Sequence, residues 1–292
     1  MSEPSDAASS CELFGAHPRR FEDNQYVYPV LSRRSRGISV GVNLNLDRRC
    51  NFDCIYCQVD RTGAAESQPV DLDRLAGELD AMVRLVASGQ IYEHPKFRQT
   101  PPGLRRFNDV AFSGDGEPTA CRRFEEAVAA CADVRRRHRL DDVKLVLITN
   151  ASLLHVDRVR RGLAILDANG GEIWAKLDAG TDAYFRQVVR SSVPLRRIVA
   201  NLREAARARP LVIQSLFLRI RGQSPPPDEQ QAYCTQLRQI AAAGGQIKLV
   251  QLYTIARPPA ESWVTPLSNE ELEAMAALVR RETGLQVATF PA

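Results

Sequence analysis

Residues 143–148 read Val-Lys-Leu-Val-Leu-Ile (VKLVLI), an apolar run broken by one lysine. A strand apolar on both alternating faces is one that is covered on both, as in a parallel sheet sandwiched by helices. Helical patterns flank it, one running through about Arg137 and one from about Val156 to Asp167. Upstream, Gly37–Leu46 (GISVGVNLNL) reads as a strand. Asp71–Ser88 reads as a helix, with Leu72, Leu75, Leu79, Met82, Val83 and Val86 on one face and Gly89 closing it. Asn108–Ser113 (NDVAFS) is a short strand followed by a Gly-rich turn.

Downstream the alternation continues. Glu172–Leu177, Leu211–Leu218 and Gln246–Tyr253 read as strands, and Leu195–Ala208 and Asp228–Ala243 as helices. The last helix opens on Ser268 and Glu271 as a capping box and ends before Gly284. Six strand-then-helix units imply an α/β fold with a parallel sheet, either an incomplete barrel or an open doubly wound sheet. In both, chemistry sits at the C-terminal ends of the strands. The stretch Phe21–Arg36 lacks the pattern and reads as part of an irregular lead-in, residues 1–36, before a core domain at 37–292.

Composition narrows the classes. The chain has 292 residues, 44% of them hydrophobic, and a formal charge of +4 from 39 basic and 35 acidic side chains. No apolar run is long enough to span a membrane, and Met1–Ser10 lacks the basic start and apolar core of a secretory signal. A cytoplasmic location is the expectation. Arginine pairs such as Arg48-Arg49, Arg105-Arg106 and Arg160-Arg161 read as solvated faces ahead of a nucleic-acid groove.

Seven cysteines, an odd number, argue against a disulfide framework. Cys11, Cys121, Cys131 and Cys234 are scattered, and most fall at helical spacing with apolar neighbours. Cys50, Cys54 and Cys57 instead form C-x3-C-x2-C directly after the first strand. Thiolates are soft ligands that suit iron–sulfur clusters and zinc. A four-iron cluster usually takes four cysteines, so three would leave one iron open, and an open position marks a catalytic metal site. The spacing also fits three thiols on one helical face, a zinc site or a redox CxxC. Zinc lacks a fourth ligand, since His17, His94, His138 and His155 are isolated, and a CxxC leaves Cys50 unexplained.

The run Cys50-Asn51-Phe52-Asp53-Cys54-Ile55-Tyr56-Cys57, with an aromatic residue before the third cysteine, resembles the cysteine motif of the radical S-adenosylmethionine (radical SAM) superfamily. Ser113-Gly114-Asp115-Gly116-Glu117-Pro118-Thr119 resembles the family's Gly-Gly-Glu-Pro turn after the next strand, here with Asp115 between the glycines. The resemblance runs from about Gly37 to Tyr253 and implies an incomplete (β/α)6 TIM-like barrel. It further implies a [4Fe-4S] cluster on Cys50, Cys54 and Cys57, with S-adenosyl-L-methionine chelating the fourth iron. Tyr56 would lie beside the adenine, and Ser113, Gly114, Asp115, Gly116 and Glu117 near the SAM amino group. Thr149, Asn150, Lys176 and Asp178 close later strands and are further candidate SAM contacts. Lys176 and Asp178 read equally as a buried ion pair or a ligand clamp. Gln214, Ser215, Gln251 and Tyr253 are weaker candidates.

The implied activity is reductive cleavage of SAM to a 5′-deoxyadenosyl radical that takes hydrogen from a substrate, as an iron–sulfur oxidoreductase. An external flavodoxin- or ferredoxin-like donor supplies the electron. The chain looks like the oxidoreductases related to wyosine-tRNA base synthesis and to activating enzymes. With no cysteine cluster after Tyr253, an enzyme with a C-terminal auxiliary cluster is not expected, and residues 1–36 are too short for a cobalamin-binding domain to be expected there. The substrate is left open among tRNA, a peptide or protein, and a small metabolite, with near-neutral charge weighing against tRNA. The alternative is a non-catalytic metal- or cluster-binding scaffold.

Overall fold

The VKLVLI stretch forms β4 (Lys144–Thr149), which lies between β3 (Phe107–Phe112) and β5 (Glu172–Lys176) and runs parallel to both. The structure, a computed structural model, describes residues 21–60 and 68–292. Around β4 the sheet extends through β2 (Gly37–Val42) and β1 (Val27–Ser32) on one side. On the other it continues through β6 (Leu211–Leu216), β8 (Ile247–Tyr253) and β10 (Val287–Phe290). The spatial order is β1-β2-β3-β4-β5-β6-β8-β10. Every main-sheet pair is parallel except β1–β2. A doubly wound sheet reverses strand order partway across. This one never reverses, and it curls into a half-barrel.

Side-chain alternation builds the two faces. Leu145 and Leu147 of β4 join the large core shared with the helices. Val146 instead packs with Ala111, Trp174 and Val212, against Ile148 and Leu249, in a separate cluster inside the curl. The outer layer comprises α1 (Leu72–Ala87), α2 (Phe124–Arg137), α3 (Asp157–Ala168), α4 (Asp182–Val189), α5 (Leu195–Ala208), α6 (Pro227–Ala242) and α7 (Asn269–Thr283). Asp71 caps α1 by accepting the Arg74 N–H at 3.0 Å, and Gly89 follows with φ 80°. The capping box of Ser268 and Glu271 opens α7, and Gly284 ends it with φ 70°.

Three sequence expectations need correction. Residues 27–32 are not irregular: they form β1, antiparallel to β2, with Val27, Tyr28 and Leu31 buried. Pro29 is tolerable because β1 is an edge strand. The basic Arg33–Arg36 stretch that masked the pattern is the hairpin tip. Residues 1–20 of the expected lead-in, with Cys11 and His17, lie outside the described residues. Second, Leu211–Leu218 divides after Leu216, and β7 (Leu218–Ile220) leaves the main sheet to pair with β9 (Val264–Pro266). Third, α4 and β10 were not expected: one is two turns long and the other a half-buried edge, too short for periodicity to register.

The hairpin tip leans across the curl. Tyr28 lies opposite Gly41, where a Cβ would stand 2.3 Å from the tyrosine ring, and its hydroxyl bonds the Ser113 Oγ (3.2 Å). Arg33 donates to the Pro291 carbonyl near the C-terminal edge (2.5 Å).

Candidate active site at the cysteine loop

Chain segments after β2, β3, β4 and β5 meet at one end of the curl. The cysteine segment is a loop and not a helix, so the three thiols do not form a buried helical stripe. Its apolar residues anchor it: Ile55 and Phe52 are buried, Phe52 edge-on to Phe185 at 5.9 Å. The backbone is tied to the end of α4, where Asp53 and Ile55 N–H donate to the Val189 and Val188 carbonyls (3.1 and 3.0 Å). Cys50, Cys54 and Cys57 then face a cavity of about 340 Å³. Its walls include Tyr56, Ser113 to Glu117, Thr149, Asn150, Lys176, Tyr253 and Arg257.

The glycine turn after β3 packs beneath this loop. Neither Gly114 nor Gly116 has a positive φ. A Cβ on Gly116 would stand 2.1 Å from the Arg49 carbonyl, and one on Gly114 2.2 Å from Asn43 Oδ1. The glycines are therefore required by the approach of two loops, a reason distinct from the ligand approach expected from sequence. Asn43 fixes the turn reciprocally, donating to Asp115 Oδ2 (2.7 Å) and accepting the Asp115 N–H (3.2 Å).

Glu117 is 2% exposed and already occupied. Its carboxylate accepts from the Thr119 N–H (3.1 Å), the Thr119 and Thr149 hydroxyls (2.5 and 2.6 Å) and the Asn150 N–H (2.7 Å). Burial still raises its pKa above the ordinary carboxyl value, despite these donors. Glu117 thus acts first as a clamp between the ends of β3 and β4. Asn150 carries the clamp to the cysteines: its amide donates to Asn51 Oδ1 (2.8 Å) and to Cys50 Sγ (3.9 Å). Ser152 holds the Asn150 carbonyl oxygen, through its N–H (3.0 Å) and hydroxyl (2.6 Å).

The opposite wall is built from β5. Lys176 Nζ lies 3.4 Å from Asp178 Oδ2, donates to the Tyr253 hydroxyl (2.8 Å) and sits 4.8 Å from the Tyr56 ring centre. Asp178 takes the Tyr56 hydroxyl on Oδ2 (2.5 Å) and the Leu216 N–H on Oδ1 (2.9 Å). It does not line the cavity. Of the two sequence readings, the buried ion pair is the one formed. Burial alone pulls an ammonium down, but Asp178, with Tyr253 and Cys54, outweighs it and Lys176 stands above its ordinary value. Burial pushes the Cys54 thiol up to about 12, only partly relieved by Lys176. Among the weaker candidates, Tyr253 lines the cavity, Gln214 donates to Gln251 (2.7 Å), and Ser215 bonds the Leu177 carbonyl and the Tyr233 hydroxyl (2.6 and 2.7 Å).

The donor set fits an iron–sulfur cluster. Among the described residues no three His, Cys, Asp or Glu side chains converge on a single metal ion. In a four-iron cluster each cysteine takes its own iron, so three thiols on one loop facing a roomy cavity suit it. Burial holds the Cys54 thiol high even with Lys176 acting on it, so the thiol stays protonated unless a metal takes the sulfur. Sequence reading missed Asn43, Asn51, Ser39, Asp109, Arg34 and Trp174. Ser39 and Asp109 are inward positions of β2 and β3, joined by the Ser39 hydroxyl. Trp174, Lys176 and Asp178 share one alternation, which was the available signal.

No family model matches the chain. A GTP 3',8-cyclase of Mycobacterium ulcerans (strain Agy99) is 31% identical over 162 residues, 56% of this chain and 37% of that protein. The match therefore spans well under half of the cyclase. A UPF0026 protein of Helicobacter pylori (strain ATCC 700392 / 26695) is 24% identical over 247 residues, 84% of this chain and 70% of that protein. Among solved structures, TYW1 with a lysine-pyruvate adduct bound has a TM-score of 0.55 at 13% identity, covering 96% of this chain and 90% of that one. Among the described residues no helix is long and apolar enough to cross a membrane. The chain is thus similar to these proteins over part or most of its length, and its unreversed half-barrel is the α/β fold of TYW1.

Proposed function

We propose that this chain is an iron–sulfur enzyme that cleaves S-adenosyl-L-methionine reductively and uses the cavity as its reaction chamber. The observation that carries the reading is the placement of Cys50, Cys54 and Cys57 on one anchored loop at the C-terminal end of β2, all facing the same cavity. The three cysteines would hold a [4Fe-4S] cluster, with SAM completing it. When bound, that pair supplies a 5′-deoxyadenosyl radical for hydrogen abstraction once an external donor of the flavodoxin or ferredoxin type delivers an electron.

The chain's own part is positioning and exclusion of water. Asn150 and Asn51 orient the cysteine loop, and the Glu117 clamp keeps the two strand ends together. Tyr56, pinned by Asp178, presents an aromatic wall beside the third cysteine. Ser113, Asp115 and Thr149 offer polar atoms on the same side. Lys176, held as an ammonium by Asp178, lines the chamber with its charge paired. A primary alkyl radical attacks most C–H bonds, so the wall must be both closed and unreactive. The hairpin tip leaning across the curl contributes to that closure.

The test is anaerobic. Reconstituted protein given dithionite and SAM is expected to yield 5′-deoxyadenosine by chromatography. Iron-loaded protein that makes none with chemical or flavodoxin-type donors would leave the non-catalytic scaffold as the function.

A further inference from the structure

The modest net charge hides an uneven distribution. Residues 24–46 carry Arg33, Arg34 and Arg36 and no acid, and residues 94–108 carry Lys96, Arg98, Arg105 and Arg106 and no acid. The fold joins the two stretches where β2 and β3 begin. The Ile38 N–H donates to the Arg106 carbonyl (2.7 Å), the Asn108 amide to the Ser35 carbonyl, and the Arg106 guanidinium to the Arg36 carbonyl (3.4 Å). Arg105 donates to the Thr100 and Arg98 carbonyls (2.9 and 3.3 Å), with its guanidinium 5.1 Å from the Tyr92 ring centre. Four arginines thus form one chain across this end of the molecule.

Arg36, Arg98, Arg105 and Arg106 are all exposed, and none forms an ion pair with a described residue. Other arginine pairs behave differently. Arg49 lies 4.0 Å from Asp47, Arg160 pairs with Glu204, and Arg161 pairs with Glu125 (2.7 Å). Carbonyl bonds hold Arg105 and Arg106 in place without neutralising them, and each keeps further N–H groups for another acceptor. The acids at the borders do not serve. Asp109 is 3% exposed, lines the cavity and takes the Ser39 hydroxyl, and Glu93 forms no ion pair with a described residue.

The exposed side chains between the arginines are Gln99, Pro101 and Pro102. No long apolar side chain stands there to enter a lipid surface or to seed the apolar centre of a protein interface. Phosphate groups need neither, because fixed guanidinium forks match their oxygens and the binding is largely electrostatic. The face also adjoins the chamber: Ser32, Arg33 and Arg34 of the same hairpin line the cavity.

We propose that Arg36, Arg98, Arg105 and Arg106 form a docking face for the phosphate backbone of a nucleic-acid substrate. This rests on the function proposed above and deepens it, placing the substrate among polynucleotides. Phosphate contacts position a strand without reading its sequence, so the face sets register and leaves selectivity to the chamber.

The test is fluorescence anisotropy of the cluster-loaded full chain, without SAM or reductant, against a dye-labelled single-stranded RNA and the DNA of matching sequence. Saturable binding is expected, and the tighter strand identifies the source of the phosphates. Changing all four arginines to Gln should weaken binding about tenfold or more and lower the slope of log affinity against log salt by about 3. Circular dichroism checks the fold. Should the fourfold variant misfold, Arg36→Gln with Arg98→Gln removes two side chains that make no hydrogen bond to a described residue, and the slope should fall by about 1.5. Arg196→Gln with Arg197→Gln on α5, also exposed and outside the face, should leave affinity unchanged. No saturable binding to either strand, wild-type affinity in the folded face variants, or an equal loss in the α5 variant would overturn the face. So would binding of phosphatidylserine vesicles, lost in the face variants, with no strand bound. Strand binding without 5′-deoxyadenosine formation removes the radical chemistry alone. That product without strand binding removes the face alone.

Discussion

Tyr56 and Asp178 are 122 positions apart, and the tyrosine hydroxyl donates to the aspartate at 2.5 Å. The bond pins the cysteine loop to the end of β5. Asp178 also neutralises Lys176 and accepts the Leu216 N–H, so one carboxylate serves three elements.

Asp178→Asn keeps hydrogen-bonding capacity at the site but leaves the Lys176 ammonium without its counter-charge. Removing one member of a buried pair costs about 3–5 kcal/mol. Lys176 keeps 18% side-chain exposure and Asp178 2%, so the low end of that range is expected in urea denaturation. A wild-type midpoint would show that the pair contributes nothing.

Cys54→Ala removes one proposed iron ligand from a loop whose fold depends on Ile55, Phe52 and their backbone ties to α4. The variant should fail to retain iron and sulfide after reconstitution while its far-ultraviolet circular dichroism matches wild type. A collapsed variant would mean that the cysteine is structural.

Gly116→Ala places a methyl 2.1 Å from the Arg49 carbonyl, a backbone atom that cannot swing aside. Forcing extra volume into a packed contact costs roughly 1–3 kcal/mol. Since Arg49 adjoins Cys50, iron content should fall along with thermal stability. Full iron loading with unchanged melting would show that the two loops are not coupled.

Glu271 lies far from the cavity, and its acid behaviour tests the fold itself. The Ser224 hydroxyl and the Ser268 N–H of the capping box, helped by Arg219, hold its carboxyl down to about 2 from 4.5. A depressed carboxyl contributes stability in full above its unfolded value. That contribution is lost as pH falls from 4.5 towards 2. Glu271→Gln should therefore flatten the acid limb of stability against pH over that window. An unchanged slope would place the acid sensitivity elsewhere.

The alternation of strands and helices, and with it the parallel sheet, was legible because long buried strands such as Val143–Ile148 and amphipathic helices such as Leu195–Ala208 carry their burial in their periodicity. The cysteine spacing was legible for the same local reason. Glu117 shows the limit. It was read as facing a ligand, yet Thr149 and Asn150, over thirty positions later, take up its oxygens. Lys176 and Asp178 were seen to share a side, but their partners Tyr56 and Tyr253 come from other strand ends.

Local pattern sufficed wherever one segment's own residues set its burial, which covers the elements, their caps and the thiol triplet. Whether the sheet curls or stays open, which acids are saturated and which donors are left wanting depended on strand order and on loops meeting across the curl. Those are contacts between distant segments, each a matter of shape complementarity at a few tenths of an ångström. Trp174 and Arg34 illustrate the point: neither has a local motif, and only the curl of β5 beneath the hairpin tip brings them together.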